Sequence, residues 1–240
     1  MKGIILAGGT GSRLAPLTKV TNKHLLPIYN KPMIFYPIMK LKEMGVDSVL
    51  IVTGRGHEGH FLELLGSGSE FDMTITYEVQ EEAGGIAQAL HLAKDFVGDQ
   101  NFIVILGDNI YADNLKSAVD EFEASGKKSH VFLKEVDKPQ SYGVPRMEDG
   151  KITEILEKPA DPPSSYAVTG CYLYTPQVFE IIEGLAPSAR GELEISDVND
   201  YYVKHGEMSH SILEKFWGDC GESFDGMLTV SNYIQKNPIN

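Results

Sequence analysis

Lys2-Gly3-Ile4-Ile5-Leu6-Ala7 runs directly into Gly8-Gly9-Thr10-Gly11-Ser12-Arg13. An unbroken apolar run of this length reads as a strand buried on both faces, and the glycines after it as the turn by which the chain leaves the sheet. Val49-Leu50-Ile51-Val52 and Phe102-Ile103-Val104-Ile105-Leu106 repeat the all-apolar pattern, and residues 73–79 alternate as a strand. Helical spacing fills the gaps. One helix starts near Pro37 and turns Ile38, Leu41 and Gly45 inward; others cover 57–65, 86–96 (through Ile86, Leu90 and Ala93) and 115–122. Strands apolar on both faces that alternate with helices imply a parallel sheet covered on both sides. The expected fold is therefore α/β: a three-layer, Rossmann-like sandwich with a mostly parallel central sheet.

After residue 126 the strand candidates become shorter and more polar, at 129–135, 143–147, 151–156 and 168–174. Lys158-Pro159-Ala160-Asp161-Pro162-Pro163 is a loop too short to link domains, and 223–235 reads as an amphipathic helix with Phe224, Leu228 and Ile234 near one side. The simplest organisation is one domain over 1–240, divided at residue 126 into a regular first half and a less regular second half.

The 240 residues are 42% hydrophobic and 23% charged, a balance that excludes wholesale disorder. No apolar run approaches the ~20 residues of a membrane helix, so a cytoplasmic protein without a membrane partner is expected. Cys171 and Cys220 make neither a disulfide framework nor a metal spacing and read as buried thiols. No histidine pair stands at metal-ligand spacing, so His24, His57, His60, His91, His130, His205 and His210 read as structural or surface groups.

The net charge of −13 argues against nucleic acid or an anionic membrane as partner. Yet residues 1–45 carry Lys2, Arg13, Lys19, Lys23, Lys31, Lys40 and Lys42 against Glu43 alone. A basic amino end on an acidic protein points to a small anionic ligand bound there. The glycine loop narrows the choice. A dinucleotide fingerprint needs a third glycine where Gly9-Thr10-Gly11-Ser12-Arg13-Leu14 has leucine, and a Walker loop needs lysine where Gly54 to Gly59 is followed by His60. What remains is a phosphate loop with its own guanidinium, Arg13, and with ammonium groups at Lys19, Lys23 and Lys31.

Gly8-Gly9-Thr10-Gly11-Ser12-Arg13-Leu14-Ala15-Pro16-Leu17-Thr18, followed by Asn22-Lys23-His24-Leu25-Leu26-Pro27, resembles the signature of the sugar-1-phosphate nucleotidyltransferases, and within them the thymidylyltransferases that act on glucose 1-phosphate. The likeness continues, in order, through Gln80, Gly85-Ile86-Ala87-Gln88-Ala89, Leu106-Gly107-Asp108-Asn109, Tyr142-Gly143-Val144, Glu157-Lys158-Pro159, Val168-Thr169-Gly170, Arg190-Gly191-Glu192-Leu193-Glu194-Ile195-Ser196-Asp197, and Trp217 with Asp219. It implies the nucleotide-diphospho-sugar transferase fold, with a nucleotide-binding half at 1–126 and a sugar-phosphate-binding half at 127–240.

The implied reaction is attack of a sugar phosphate oxygen on the α-phosphorus of dTTP, with α-D-glucose 1-phosphate as the other substrate and pyrophosphate leaving. The attacking phosphate is already an anion, so the enzyme supplies orientation and charge rather than a nucleophile. By resemblance, Arg13, Lys23 and Asp108 are catalytic, and Leu6, Gly8, Gly9, Thr10, Gly11, Ser12, Gln80 and Gly85 complete the nucleotide site. Gly143, Glu157, Lys158, Val168 and Arg190 take the sugar phosphate, and Asp108 with Asp219 holds Mg²⁺. A homo-oligomer is also implied. Alternatives are the same chemistry with UTP or another sugar 1-phosphate, and a catalytically silent nucleotide-sugar-binding regulator.

Two departures stand out. Trp217-Gly218-Asp219-Cys220-Gly221 replaces the usual W-L-D-T-G, and Glu81-Glu82-Ala83-Gly84 replaces a stretch containing proline and aspartate. In addition, this sequence stops soon after the helix near Gln235, where many thymidylyltransferases continue into a regulatory nucleotide site. That accessory site is expected to be reduced or missing. Isothermal titration with a dTDP-sugar should then count one binding site per chain; two sites would overturn the expectation.

Overall fold

The computed structural model describes residues 1–239. In chain order, β1 (Lys2–Ala7) is followed by the hairpin β2 (Pro27–Ile28) and β3 (Lys31–Pro32), then α1 (Phe35–Glu43), β4 (Ser48–Gly54), α2 (Glu58–Leu65), β5 (Thr74–Gln80), α3 (Ile86–His91), α4 (Lys94–Val97) and β6 (Phe102–Leu106). The next elements are β7 (Asn109–Tyr111), α5 (Lys116–Ser125), β8 (Ser129–Glu135), β9 (Gly143–Glu148), β10 (Lys151–Glu157) and β11 (Tyr166–Tyr174). The chain ends with α6 (Val178–Glu183), α7 (Ile195–Lys204), β12 (Met208–Ile212), β13 (Trp217–Asp219) and α8 (Phe224–Lys236).

Nine strands form one sheet in the order β10-β9-β11-β6-β1-β4-β5, with β8 and β12 continuing from β11. β1 lies between β4 and β6, parallel to both, and β5 extends the parallel set. β11 turns the direction, running antiparallel to β6, β8 and β9.

The two-residue period of β1 explains why it is apolar throughout. Ile5 and Ala7 face a core built with Ile38 and Leu41 of α1, Phe61 of α2 and Phe122 of α5. Ile4 and Leu6 face the opposite core, with Leu90 of α3, Val97 of α4, Phe179 of α6 and Val198 of α7. Helices therefore cover both faces, as the pattern of apolar strands requires. A third cluster sits beside the sheet, where Val230 and Ile234 of α8 pack on Ile28, Met33, Tyr36, Ile110 and Cys220.

Three local expectations need correction. Gly45 lies beyond the end of α1 instead of packing as a helical position. The helix expected over 86–96 breaks into α3 and α4, because Ala93 N–H bonds back three residues to Leu90 before Val97 restarts the ladder on Ala93. On α8 the buried pair is Val230 and Ile234, whereas Phe224 and Leu228 are exposed. Positions 224 and 228 share a side by their spacing of four, but 234 stands on a different side. β7, β12, β13 and α6 are too short to carry a strong period; α7 does carry one, with Ile195, Val198 and Tyr202 on its buried side, and is a helix that the sequence reading above passes over. Both thiols, Cys171 and Cys220, are free and buried.

His130 is buried on β8, with Nδ1 2.9 Å from Ser209 Oγ and Nε2 without a partner. Burial, with a smaller contribution from His210, lowers its pKa to about 4 from the ordinary 6.5. Above pH 6.5 the group is neutral in both folded and unfolded chains. Below it, the unfolded chain takes up a proton that the folded one refuses, so stability falls from about pH 6.5 down to about 4, by an amount on the order of 3 kcal/mol. Urea unfolding across this range should show a shallower acid limb for His130→Gln than for the parent; parallel limbs would contradict this account.

Candidate active site

The carboxyl ends of β1, β4, β5 and β6 lie along one edge of the sheet, the edge where parallel α/β sheets receive ligands. A cleft of about 370 Å³ opens there. Its walls include Leu6, Gly8, Gly9, Arg13, Lys23, Gln80, Gly85 and Asp108 from the first half of the chain. Gly143, Glu157, Lys158, Val168, Arg190 and Asp219 come from the second. Of the residues singled out by sequence, Thr10, Gly11 and Ser12 stand outside the wall. They form the turn that leads into Arg13, where Thr18 Oγ1 donates to the Gly11 carbonyl at 2.9 Å.

At the floor, Lys23 Nζ donates to Asp108 Oδ2. Lys23 is delivered by a short turn capped by Asn22, whose Nδ2 donates to the Ala7 carbonyl at 3.1 Å and whose Oδ1 accepts from His24 N–H at 2.9 Å. Because Asn22 Oδ1 can only accept, the His24 ring nitrogen 2.6 Å away, Nδ1, carries the hydrogen. Burial drives the His24 pKa down to about 3, so the ring beside Lys23 is neutral.

Asp108 follows β6 and is buried. Burial alone would raise its pKa, but the Lys23 ammonium outweighs that effect and holds the carboxyl below the usual carboxylate range. Asp219, at the end of β13, comes from 111 positions farther along the chain. It reaches this place because β13 pairs antiparallel with β7, setting Asp219 opposite Asn109 and Trp217 opposite Tyr111. Burial, together with the charge of Asp108, pushes the Asp219 pKa up. A buried and a half-buried carboxylate thus share one nearby ammonium, with hard oxygen atoms in excess of positive charge. That donor set fits a divalent cation of the Mg²⁺ type, with one carboxylate from Asp108 and one from Asp219. Among the described residues no group of three or more His, Cys, Asp or Glu side chains converges as a metal cage, so such an ion would complete its shell from substrate phosphate and water.

Of the two departures in Trp217-Gly218-Asp219-Cys220-Gly221, Cys220 packs in the cluster beneath α8 and Gly218 has a steric reason. A Cβ on Gly218 would lie 2.4 Å from Val230 Cγ2, so glycine lets α8 pack against β13. A Cβ on Gly221 would sit 2.7 Å from Lys23 Nζ and against the Asp108 carboxylate, so the backbone here approaches the charge cluster closely. Cys220 N–H donates to the Asp108 carbonyl at 2.9 Å, and Gly221 N–H to Asp219 Oδ1 at 2.8 Å.

The outer cations carry internal partners. Arg13 Nη1 lies 2.5 Å from Glu222 Oε1. Arg190 makes a two-pronged contact with Glu194, at 2.7 and 3.1 Å, and reaches Glu157 at 3.2 Å. Glu157 also accepts from Ser196 Oγ at the start of α7. Lys158 has φ +43, an unfavourable conformation for a residue with a side chain, and its N–H bonds the Tyr142 carbonyl at 3.0 Å. The Arg13–Glu222 pair is exposed enough to contribute only about 0–1 kcal/mol, whereas Arg190 is held two-pronged by a Glu194 carboxylate that is itself buried.

Sequence reading missed the residues that hold these groups in place. Glu222, Glu194 and Ser196 pair with the cleft's charged groups, and Asn109 ties its parts together. Asn109 Oδ1 accepts from Trp217 Nε1 at 2.8 Å and Gly170 N–H at 3.0 Å, while Nδ2 donates to Asp108 Oδ1 at 3.0 Å. The signal available was position: Asn109 adjoins Asp108, and Glu194 and Ser196 lie in the quoted stretch with Arg190.

Residues 2–237 match the family model described as nucleotidyl transferase. A glucose-1-phosphate thymidylyltransferase of Neisseria meningitidis is 40% identical over 239 residues, covering 98% of this chain and 83% of that protein. The low-salt glycan biosynthesis nucleotidyltransferase Agl11 of Haloferax volcanii is 41% identical over 227 residues; the match takes in 94% of this chain but only 64% of that longer protein. Among solved structures, a Bacillus anthracis protein provisionally assigned as a glucose-1-phosphate thymidylyltransferase, in complex with sucrose, superposes with a TM-score of 0.95 at 49% identity, covering 100% of this chain and 96% of that one. A UDP-glucose pyrophosphorylase complexed with UDP-glucose superposes at 0.84 with 28% identity, covering 98% of each chain.

Asn109→Ala removes the acceptor of three buried donors, Trp217 Nε1, Gly170 N–H and Tyr111 OH. Each donor left without a partner costs about 1–3 kcal/mol, so chemical denaturation should show a loss of roughly 3 kcal/mol or more. A loss below ~1 kcal/mol would remove Asn109 from this role.

Proposed function

The chain belongs to the nucleotidyl transferase family, and on that premise we propose that it joins dTTP to α-D-glucose 1-phosphate, forming dTDP-glucose and releasing pyrophosphate. One observation carries the reading: a single cleft brings the cations and carboxylate of the amino half, Arg13, Lys23 and Asp108, to face Glu157, Lys158 and Arg190 of the other half. Two anions held from opposite sides of one cavity are what this transfer needs.

In the proposed arrangement the nucleobase lies at Gln80 and Gly85, close to the backbone at Leu6 and Gly8, and the triphosphate extends toward Arg13 and Lys23. The sugar rests against Gly143 and Val168 with Glu157 on its hydroxyl groups, while Lys158 and Arg190 hold its phosphate. A phosphate oxygen of the sugar attacks the α-phosphorus in line. The new P–O bond forms as the α–β bridge breaks, and the electron pair departs with pyrophosphate. No protein proton is consumed, because both the attacking and the leaving groups are phosphate oxyanions. Arg13 and Lys23 offset charge on the transferring and departing groups, the kind of electrostatic assistance whose removal costs ~10²-fold or more in turnover. Asp108 and Asp219 would hold Mg²⁺, which supplies further neutralisation of phosphate charge.

The same chemistry with UTP is a second reading. It is supported by the likeness to a UDP-glucose pyrophosphorylase and by Gln80, whose hydrogen bonds give no reason to separate thymine from uracil.

The deciding experiment is pyrophosphate release measured for each nucleoside triphosphate against a set of sugar 1-phosphates with Mg²⁺. dTTP with glucose 1-phosphate is expected to have the highest kcat/KM. In that pair, Arg13→Ala and Asp108→Asn, each verified as folded, should lose ~10²-fold or more in kcat. Normal turnover in both variants would overturn the assigned roles, and no release with any pair would favour a silent binder of nucleotide-sugars.

A further inference from the structure

Gln80 is the last residue of β5, and the hydrogen bonds behind it limit what it can offer to the cleft. Its amide nitrogen Nε2 lies 3.2 Å from the Gly85 carbonyl oxygen and 2.5 Å from Gln88 Oε1. A backbone carbonyl only accepts, so the atom of Gln80 turned toward Gly85 is the NH₂ group, independent of how the amide is assigned. That group has two hydrogens. One goes to Gly85 and the other to Gln88, which must present its oxygen to receive it. Both donors of Gln80 are then used. What remains is Oε1, which stands next to Gly8 at a point only 2.7 Å from where a Cβ on Gly8 would be.

The frame around this amide is rigid. The Gly85 carbonyl also accepts Ala89 N–H at 3.1 Å in the first turn of α3. The start of that helix is fastened to a neighbouring strand of chain, with Leu193 N–H donating to the Gly84 carbonyl at 2.8 Å and Ala87 N–H to the Leu193 carbonyl at 3.2 Å. Gly85 has φ +98, and a Cβ there would lie 2.6 Å from the Leu193 oxygen, so the close backbone approach admits glycine only. Gln88 is half-buried on α3 and packs beside Gly84. Gln80 lines the cleft and Gln88 is absent from its wall. Gln88 therefore acts on a ligand only through Gln80.

We propose that Gln88 is a positioning residue for nucleobase selection. By taking the second hydrogen of the Gln80 amide, it fixes Gln80 as a reader that can only accept. A base with a ring N–H donor, the imide of thymine or uracil, satisfies that oxygen. Cytosine presents a bare ring nitrogen at the same position, so two acceptors would meet in a site with little water to relieve them. A site built around one hydrogen bond rejects the analogue lacking it because its own polar group is left unpaired. Without Gln88 only the Gly85 carbonyl opposes a flip of the Gln80 amide that would turn its NH₂ toward the base, and the rejection of cytosine weakens. This inference rests on the reading above, in which the Gln80 end of the cleft takes the nucleobase.

The test uses the full chain with Gln88→Leu, which removes the acceptor, and Gln88→Glu, which keeps an accepting oxygen. Affinity for dTTP and dCTP with Mg²⁺ is measured by titration calorimetry, and kcat/KM for both is measured by pyrophosphate release with glucose 1-phosphate. The dTTP:dCTP preference is expected to fall about tenfold or more in Gln88→Leu, by both readouts, and to persist in Gln88→Glu. A purely structural role would weaken both nucleotides together and leave their ratio unchanged. An unchanged ratio in Gln88→Leu, or an equal loss in Gln88→Glu, overturns the proposal while leaving the nucleotide site intact. Failure of the parent protein to bind either nucleotide overturns both this inference and the functional reading beneath it.

Discussion

A lysine ammonium from the amino end lies against one buried carboxylate, and that carboxylate lies near a second that arrives from 111 residues later. Lys23, Asp108 and Asp219 could not be held together cheaply, because bringing charges out of water costs several kcal/mol for each ion unless partners compensate. The surrounding structure supplies those partners. Lys23 offsets Asp108, Asn109 donates to the other Asp108 oxygen, and Gly221 N–H supports Asp219. The remaining excess of negative charge on two hard oxygen atoms is what makes this point suited to a divalent cation and, through it, to phosphate. The pairing of β7 with β13, the close packing of α8 and the buried Asn109 all serve to keep these three groups in place.

The charge distribution of the whole chain follows the same logic. An acidic protein with a net charge of −13 repels anionic substrates on average. Cations are concentrated along the cleft, and each of the outer two, Arg13 and Arg190, has a carboxylate partner of its own. Glu222 occupies Arg13, and Glu194 with Glu157 occupies Arg190. The Arg13–Glu222 contact is exposed and weak, while the two-pronged contact on buried Glu194 fixes the Arg190 guanidinium more firmly.

Selectivity is arranged differently. At the nucleoside end no charge is involved; a backbone carbonyl held by a helix start and a second glutamine leave Gln80 with a single acceptor to display. A neutral contact of this kind adds little binding energy when satisfied but a substantial penalty when mismatched. On the proposed reading, the cations of the cleft supply attraction and the amide at its far end supplies discrimination.

The sequence by itself determined the layered α/β architecture, because Ile4 through Ala7, Val49 through Val52 and Phe102 through Leu106 are apolar at every position, and only a strand covered on both faces tolerates that. It also indicated a glycine loop with Arg13 and Lys23 after the first strand as a place for an anion, while Gln80, Asp108, Glu157, Lys158, Arg190 and Asp219 were indicated by the family resemblance. The β7–β13 pair, the helix α6, and the partners Asn109, Glu194, Ser196, Glu222 and Gln88 were decided only in three dimensions. The short strands and α6 offer too few residues to show a period, whereas α7 shows one in Ile195, Val198 and Tyr202 that the sequence reading passed over. On α8, Phe224 and Leu228 looked like core residues, yet Val230 and Ile234 took the buried side, because the available surface was set by Ile28, Met33 and Ile110 from distant parts of the chain. Hydrophobic period is a property of consecutive residues and can be read along the chain. Partnership between a carboxylate and a cation is a property of distance in space, and only the folded chain brings residues 13 and 222, or 108 and 219, within reach of each other.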